Sequence, residues 1–239
     1  GGFYIYHFHE KVITKHTRAA ALAGVFLILL GIAKTGAILS ANSHWATGTA
    51  ITAGIILTIA YDQRFALGMG ILYCMFATLA VGAEADIGLF VTMAAGVATC
   101  CFSLREIRTR MKLLEVAAMA ASAVFITSLL FDILPRNFIW KEAFRTAGLH
   151  AGAALLAGLI IQSLLPLIEK LFRIATSMTL LDYSDANQPL LKRLAMEAPG
   201  TYSHSLLVGS IAETAAESIG CNGLLARVGA YYHDIGKIN

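Results

Sequence analysis

The chain has 239 residues and a formal net charge of +3, with 57% apolar and only 14% charged residues. A soluble domain carries roughly 25% charged residues. Here the charges are also segregated, with long windows that carry none, which excludes an ordinary soluble domain and points to the membrane class. A charge of +3 is too small to argue for a nucleic acid polymer as partner, so placement of the charges matters more than their sum.

Residues 1–18 read as a juxtamembrane segment with Lys11, Lys15, His16 and Arg18. The aromatic run Phe3 to Phe8 precedes the basic cluster, the reverse of a signal peptide. Residues 19–173 read as a transmembrane helical domain. Its six apolar windows are Ala19–Leu39, Trp45–Ala60, Phe65–Gly82, Ile87–Ser103, Leu113–Phe131 and Thr146–Phe172. A span needs about twenty residues, and three of the windows lie near the short limit of about seventeen. None shows the polar face of a soluble helix, and lipid admits helices because they satisfy their own backbone. The expected fold is therefore all-α, a polytopic bundle of six spans.

Arg105, Arg108, Arg110 and Lys112 crowd the fourth connection and mark it as cytoplasmic. Alternation then places residues 1–18, Arg64 and the C-terminal part inside. Glu84–Asp86 and a loop over 132–145, with Arg136, Lys141 and Arg145, fall outside. Trp45 and Trp140 sit at window edges, where indoles are favoured. Gly48, Thr52 and Ile56, and Gly152 and Leu156 beside Gly158, fit close helix packing, with a ligand cavity as the alternative. Lys34, Glu115 and His150 lie near span ends, able to snorkel or face headgroups. The scarcity of deeper charge argues against a transporter. Cys74, Cys100, Cys101 and Cys221 show no disulfide or CxxC spacing and read as small apolar residues.

Residues 174–200 form a linker and a short helix. Asp185 to Pro189 is a turn signal, Leu190–Glu197 a short amphipathic helix, and Pro199-Gly200 its stop. The last stretch, APGTYSHSLLVGSIAETAAESIGCNGLLARVGAYYHDIGKIN, carries the chemistry. Thr201 is a plausible N-cap for a helix from Tyr202. Leu207, Ile211, Ala215 and Ile219 recur on one face, His204 points toward that face, and Glu213 and Glu217 lie opposite. Gly220 stops this helix. Asn222 can cap the next, whose stripe is Leu225, Val228, Gly229 and Tyr232. His233 and Asp234 follow, about 100° apart around a helix. Alone, His204 reads equally as a hydrogen-bonded core histidine, and His233-Asp234 as a polar helix end capped by Gly236. Together on consecutive helices, imidazoles and a carboxylate suit a divalent metal. Lys237 reads as a solvated cation at a helix C-terminus or as a contact for an anionic substrate. The metal reading requires His204 and His233 to share one side of the helical pair.

GTYSHS followed by YYHDIGK resembles the start of the HD superfamily of metal-dependent phosphohydrolases. The stretch LLDYSDANQPLLKRLAMEAPGTYSHSLLVGSIAETAAESIGCNGLLARVGAYYHDIGK is similar to the passage from last span into catalytic domain of the bacterial seven-transmembrane receptors with an intracellular HD hydrolase domain. The resemblance implies that residues 201–239 are the N-terminal part of an HD domain, with His204, His233 and Asp234 as metal ligands and Asp234 as the bridge between two divalent ions, iron or manganese. It implies that Lys237 faces the substrate phosphate. It also implies hydrolysis of cyclic di-AMP to linear pApA in the cytoplasm by a multi-pass bacterial inner-membrane protein, whose spans either carry an external signal to the hydrolase or merely anchor it. A homo-oligomer is compatible with it. Two alternatives are an HD phosphohydrolase acting on a guanosine alarmone or a nucleoside monophosphate, and a non-catalytic membrane receptor with a degenerate HD remnant. The chain begins Gly-Gly and stops five residues after Asp234, so both ends read as cut. One further span before residue 1, and further ligands beyond 239, are expected.

Overall fold

The computed structural model describes residues 16–40, 42–82, 85–104, 109–134, 139–172 and 174–238. The readings made on Phe3 to Phe8, Lys11, Lys15, Glu84, Arg105, Arg108 and Arg136 lie outside them. Every regular element among the described residues is a helix, without strands, and these residues fall into two units that divide at residues 174 and 175.

The first unit holds six apolar helices: α1 (His16–Ser40), α2 (His44–Ala60), α3 (Gln63–Val81), α4 (Ile87–Ser103), α5 (Arg110–Ile133) and α6 (Trp140–Phe172). Helices α1, α3, α5 and α6 are long and apolar enough to cross a bilayer, while α2 and α4 have 17 residues each. At 1.5 Å per residue the shorter pair reaches about 25 Å, a length that a locally thinned bilayer accommodates. The outer faces of the unit are apolar, as lipid requires: Leu27, Leu39, Leu79 and Leu156 are all exposed.

Helix α2 sits at the centre and packs against α1, α3, α4 and α6. Its buried positions are mostly small or β-branched, including Ala46, Ala50, Ala53, Gly54 and Ile55. Small residues let helix backbones approach where no hydrophobic force drives association. The threonine hydroxyls of α2 bond back to its own carbonyls, Thr52 to Gly48 and Thr58 to Gly54 at 2.8 and 2.7 Å. Polar side chains are thereby satisfied without water. Elsewhere in the unit, a Cβ on Gly158 would collide with Ala117, so α5 and α6 meet at this glycine.

Three expectations for this unit change. Lys112 belongs to α5, where it pairs with Glu115 at 3.0 Å, rather than to a connection. Lys141 and Arg145 likewise belong to α6, which starts six residues before its apolar window, and Arg145 pairs with Glu142 at 3.4 Å. That earlier start puts His150 about 15 Å into the helix. It is buried and bonded to Thr47 Oγ1 at 2.6 Å and Ser43 Oγ at 3.4 Å, so it neither snorkels nor faces headgroups. Gly48 does pack closely on Ala153. Gly48, Thr52, Ile56, Gly152 and Leu156 also line an apolar groove of about 740 Å³ between α1, α2 and α6.

The second unit holds α7 (Ser177–Tyr183), α8 (Pro189–Glu197), α9 (Pro199–Ser218), α10 (Gly223–Tyr232) and a single 3₁₀ turn, Ile235–Lys237. Helices α9 and α10 form an antiparallel hairpin. Gly220, at φ +72°, takes the left-handed conformation that ends α9. Asn222 then caps α10 by accepting the Leu225 N–H at 3.0 Å. Helix α9 begins at Pro199, earlier than expected, with Ala198 as its N-cap and Thr201 already inside it. Proline fits the first helical turn because its missing N–H has no partner there anyway.

The buried face of α9 also differs from the aliphatic stripe. Ser205 and Gly209 are buried, with Tyr202, Ala212 and Ala216 half-buried on the same side, whereas Leu207, Ile211 and Ile219 are 63–76% exposed. Close packing on α10 selects the small residues, and Leu207 and Ile211 stand on the opposite side of the helix. Glu213 faces α10 rather than solvent, and Arg227 grips both its oxygens at 2.9 and 3.1 Å. On α10, Leu224 and Val228 are buried while Leu225 and Gly229 are exposed.

Candidate metal centre

The hairpin brings together the residues that the sequence separates by about thirty positions. His204 lies in the second turn of α9. His233 caps α10 at its C-terminus, and Asp234 precedes the 3₁₀ turn. Because the helices run antiparallel, the start of α9 lies beside the end of α10. The two imidazole rings are 5.7 Å apart between centroids. One ligand atom from each of His204, His233 and Asp234 lies within 4.8 Å of the others. His204 is exposed, not turned into the core.

The ring of His233 is fixed. Its Nδ1 lies 2.6 Å from the Ala230 carbonyl, which can only accept, so Nδ1 carries the proton. The neutral ring then presents the lone pair of Nε2 outward, the state suited to a metal. That Nε2 stands 3.3 Å from Asp234 Oδ2. Two lone pairs facing each other repel, and only a proton on Nε2 or a shared cation relieves this. The Lys237 ammonium donates to the same Oδ2 at 2.6 Å. This hydrogen bond holds the Asp234 carboxyl below the ordinary carboxylate range, with the Lys237 charge acting in the same direction. Asp234 is therefore an anion at neutral pH.

The donor set fits a divalent ion. Nitrogen and oxygen ligands sit at about 2.0–2.2 Å from zinc-like ions, so small side-chain rotations gather the three atoms onto one centre. The 3₁₀ turn keeps Lys237 beside the cluster with an exposed side chain.

Several supporting groups were not singled out in the sequence. The Ala230 carbonyl orients His233. Arg227 and Glu213 clamp the hairpin. Gly209 lets Tyr231 lie against α9: a Cβ there would stand 2.5 Å from Tyr231 Cε1. Both pairs are equidistant from Gly220 in the sequence. Reflection about the turn glycine is the signal that finds them.

The profile of the family described as 7TM receptor with intracellular HD hydrolase matches residues 2–176. The chain belongs to this family. The HD domain profile matches residues 201–239, the hairpin with the metal-type cluster. Two similar relatives are named cyclic-di-AMP phosphodiesterase PgpH. One, from Bacillus subtilis, is 46% identical over 38% of this chain and 14% of its own. The other, from Listeria monocytogenes, is 32% identical over 77% of this chain and 26% of its own. An uncharacterized protein of Synechocystis is 37% identical over 55% of this chain and 16% of its own. The chain thus spans about a quarter of the length of these relatives or less. No solved structure matches it. As a member of the 7TM receptor–HD hydrolase family, the chain is a membrane protein whose helical bundle precedes an HD region, and HD domains are generally metal-dependent.

Proposed function

We propose that this chain carries the membrane helices and the first metal ligands of a phosphodiesterase that hydrolyses cyclic di-AMP to linear pApA at the cytoplasmic face of the bacterial inner membrane. The carrying observation is the convergence of His204, His233 and Asp234, with the His233 lone pair turned toward the Asp234 carboxylate. The names of the Bacillus and Listeria relatives support the substrate. The family description, the even number of apolar helices and the basic residues Arg64, Arg110, Lys112 and Lys170 support the cytoplasmic side for the HD part.

Two divalent ions, iron or manganese, supply Lewis acidity and lower the pKa of water when bound. His204 and His233 would offer neutral ring nitrogens, and Asp234 its carboxylate, to hold such ions. Lys237 lies next to Asp234 and places a positive charge where a phosphate oxyanion would approach. In the reaction one water oxygen–phosphorus bond forms, one phosphorus–O3′ bond breaks, and the leaving oxygen takes a proton. A positive charge beside the phosphate stabilises the charge that develops there.

The test uses protein expressed from its full reading frame and purified from membranes. Labelled cyclic di-AMP, a guanosine alarmone and a nucleoside monophosphate are offered in parallel. Turnover of cyclic di-AMP that falls at least a hundredfold in Asp234→Ala and Lys237→Met supports the reading. Full activity of Asp234→Ala, or turnover confined to another nucleotide, overturns it.

A further inference from the structure

Helix α7 has only seven residues, too few to hold a helix in isolation. It is held by α10. Leu180, 4% exposed, packs with Leu224 and Val228, and Tyr232 closes over the same cluster. The Tyr232 hydroxyl donates to the Tyr183 carbonyl at 2.8 Å. That carbonyl belongs to the last residue of α7 and has no partner within its own helix, so Tyr232 caps α7 across 49 residues of sequence.

Tyr232 is also the last residue of α10, peptide-bonded to His233. The His233 ring is tied to the Ala230 carbonyl, so it moves with the last turn of α10. That turn is pinned at Tyr232 by α7. Along the chain, α7 is the first helix after α6, separated from Phe172 by residues 173–176 alone.

We propose that α7 positions the metal centre, with Tyr232 and Leu180 as positioning residues acting on His233. The inference rests on the metal reading of His204, His233 and Asp234. Metal sites tolerate ligand displacements of only about 0.2 Å, so a modest shift of the α10 end suffices to alter them.

Cobalt(II) is the probe, titrated into the full-length protein in detergent, with affinity and visible absorption both recorded. Tyr232→Phe keeps the ring and removes the donor. It is expected to weaken cobalt binding about threefold to tenfold, the range of one intramolecular hydrogen bond, and to shift the absorption bands. Leu180→Ala removes the packing and is expected to do more. A change in band position marks altered ligand geometry, which mere loss of stability does not produce. Wild-type affinity and an unchanged spectrum in Tyr232→Phe overturn the inference, and this variant alone decides if Leu180→Ala misfolds. If the wild-type protein binds no cobalt, or binds it unchanged after His204→Ala and His233→Ala, the metal reading fails and takes the inference with it.

Discussion

Gly209→Ala tests whether the spacing of the hairpin sets the metal centre. The added Cβ would lie 2.5 Å from Tyr231 Cε1, 2.8 Å from Cδ1 and 3.3 Å from the Arg227 carbonyl oxygen. Carbon atoms pack comfortably at about 3.5–4.0 Å, so roughly 1 Å must be found by turning the ring or parting the helices. Alanine favours the helix interior by about 1 kcal/mol over glycine, whereas overpacking costs about 1–3 kcal/mol. Folding stability should therefore fall by no more than about 2 kcal/mol, and the protein should still fold. Metal binding should suffer more. Tyr231 lies two residues before His233, Gly209 lies five after His204, and ligand distances tolerate only about 0.2 Å. A loss of affinity of about tenfold or more is expected, comparable to losing an outer support of a metal ligand. The assay is metal titration beside circular dichroism, on the single variant and on Gly209→Ala combined with Tyr231→Ala. Removing the ring should restore binding in the pair, a strongly non-additive cycle. Wild-type affinity in Gly209→Ala, or no recovery in the pair, would refute the argument.

Three further outcomes follow from the same geometry. Glu213→Gln, which breaks an ion pair only about a quarter exposed in which Arg227 Nη1 serves both carboxylate oxygens, should cost about 1–2 kcal/mol in a denaturant titration. Thr47→Val, which strips the 2.6 Å partner from His150 inside the bundle, should cost between about 0.6 and 1.7 kcal/mol in detergent unfolding; no change would show that the pair adds nothing. Chelation should destabilise the hairpin unit by about 2.7 kcal/mol relative to protein held at one hundredfold the metal dissociation constant, read as a lower melting point, whereas an unmoved melting point would argue against any bound ion.

The legible part of this molecule was whatever a local pattern encodes. Each of the six apolar windows falls on a helix, because lipid leaves the backbone no other way to satisfy itself. Gly220 and Asn222 marked the turn by conformational preference alone. Less was legible where two elements decide together. The stripe Leu207–Ile211–Ile219 has the right period for a buried face, yet α10 lies against Ser205 and Gly209, because small residues let the two backbones come close. Periodicity reports that a helix has an apolar side, and close packing chooses which side meets a given neighbour. His150 shows the same limit in the bundle. Its apolar window suggested a position near the membrane edge. The helix instead continues back through charged residues to Trp140, and Thr47 on α2 supplies the partner that burial demands. The cluster of His204, His233 and Asp234 was half legible: residue types suggest a cation, but only the antiparallel return of α10 brings them within 4.8 Å. What turns that proximity into chemistry is the Ala230 carbonyl, a backbone group that no residue type announces. It commits the proton to Nδ1 and leaves Nε2 facing a carboxylate, an arrangement that a shared cation stabilises.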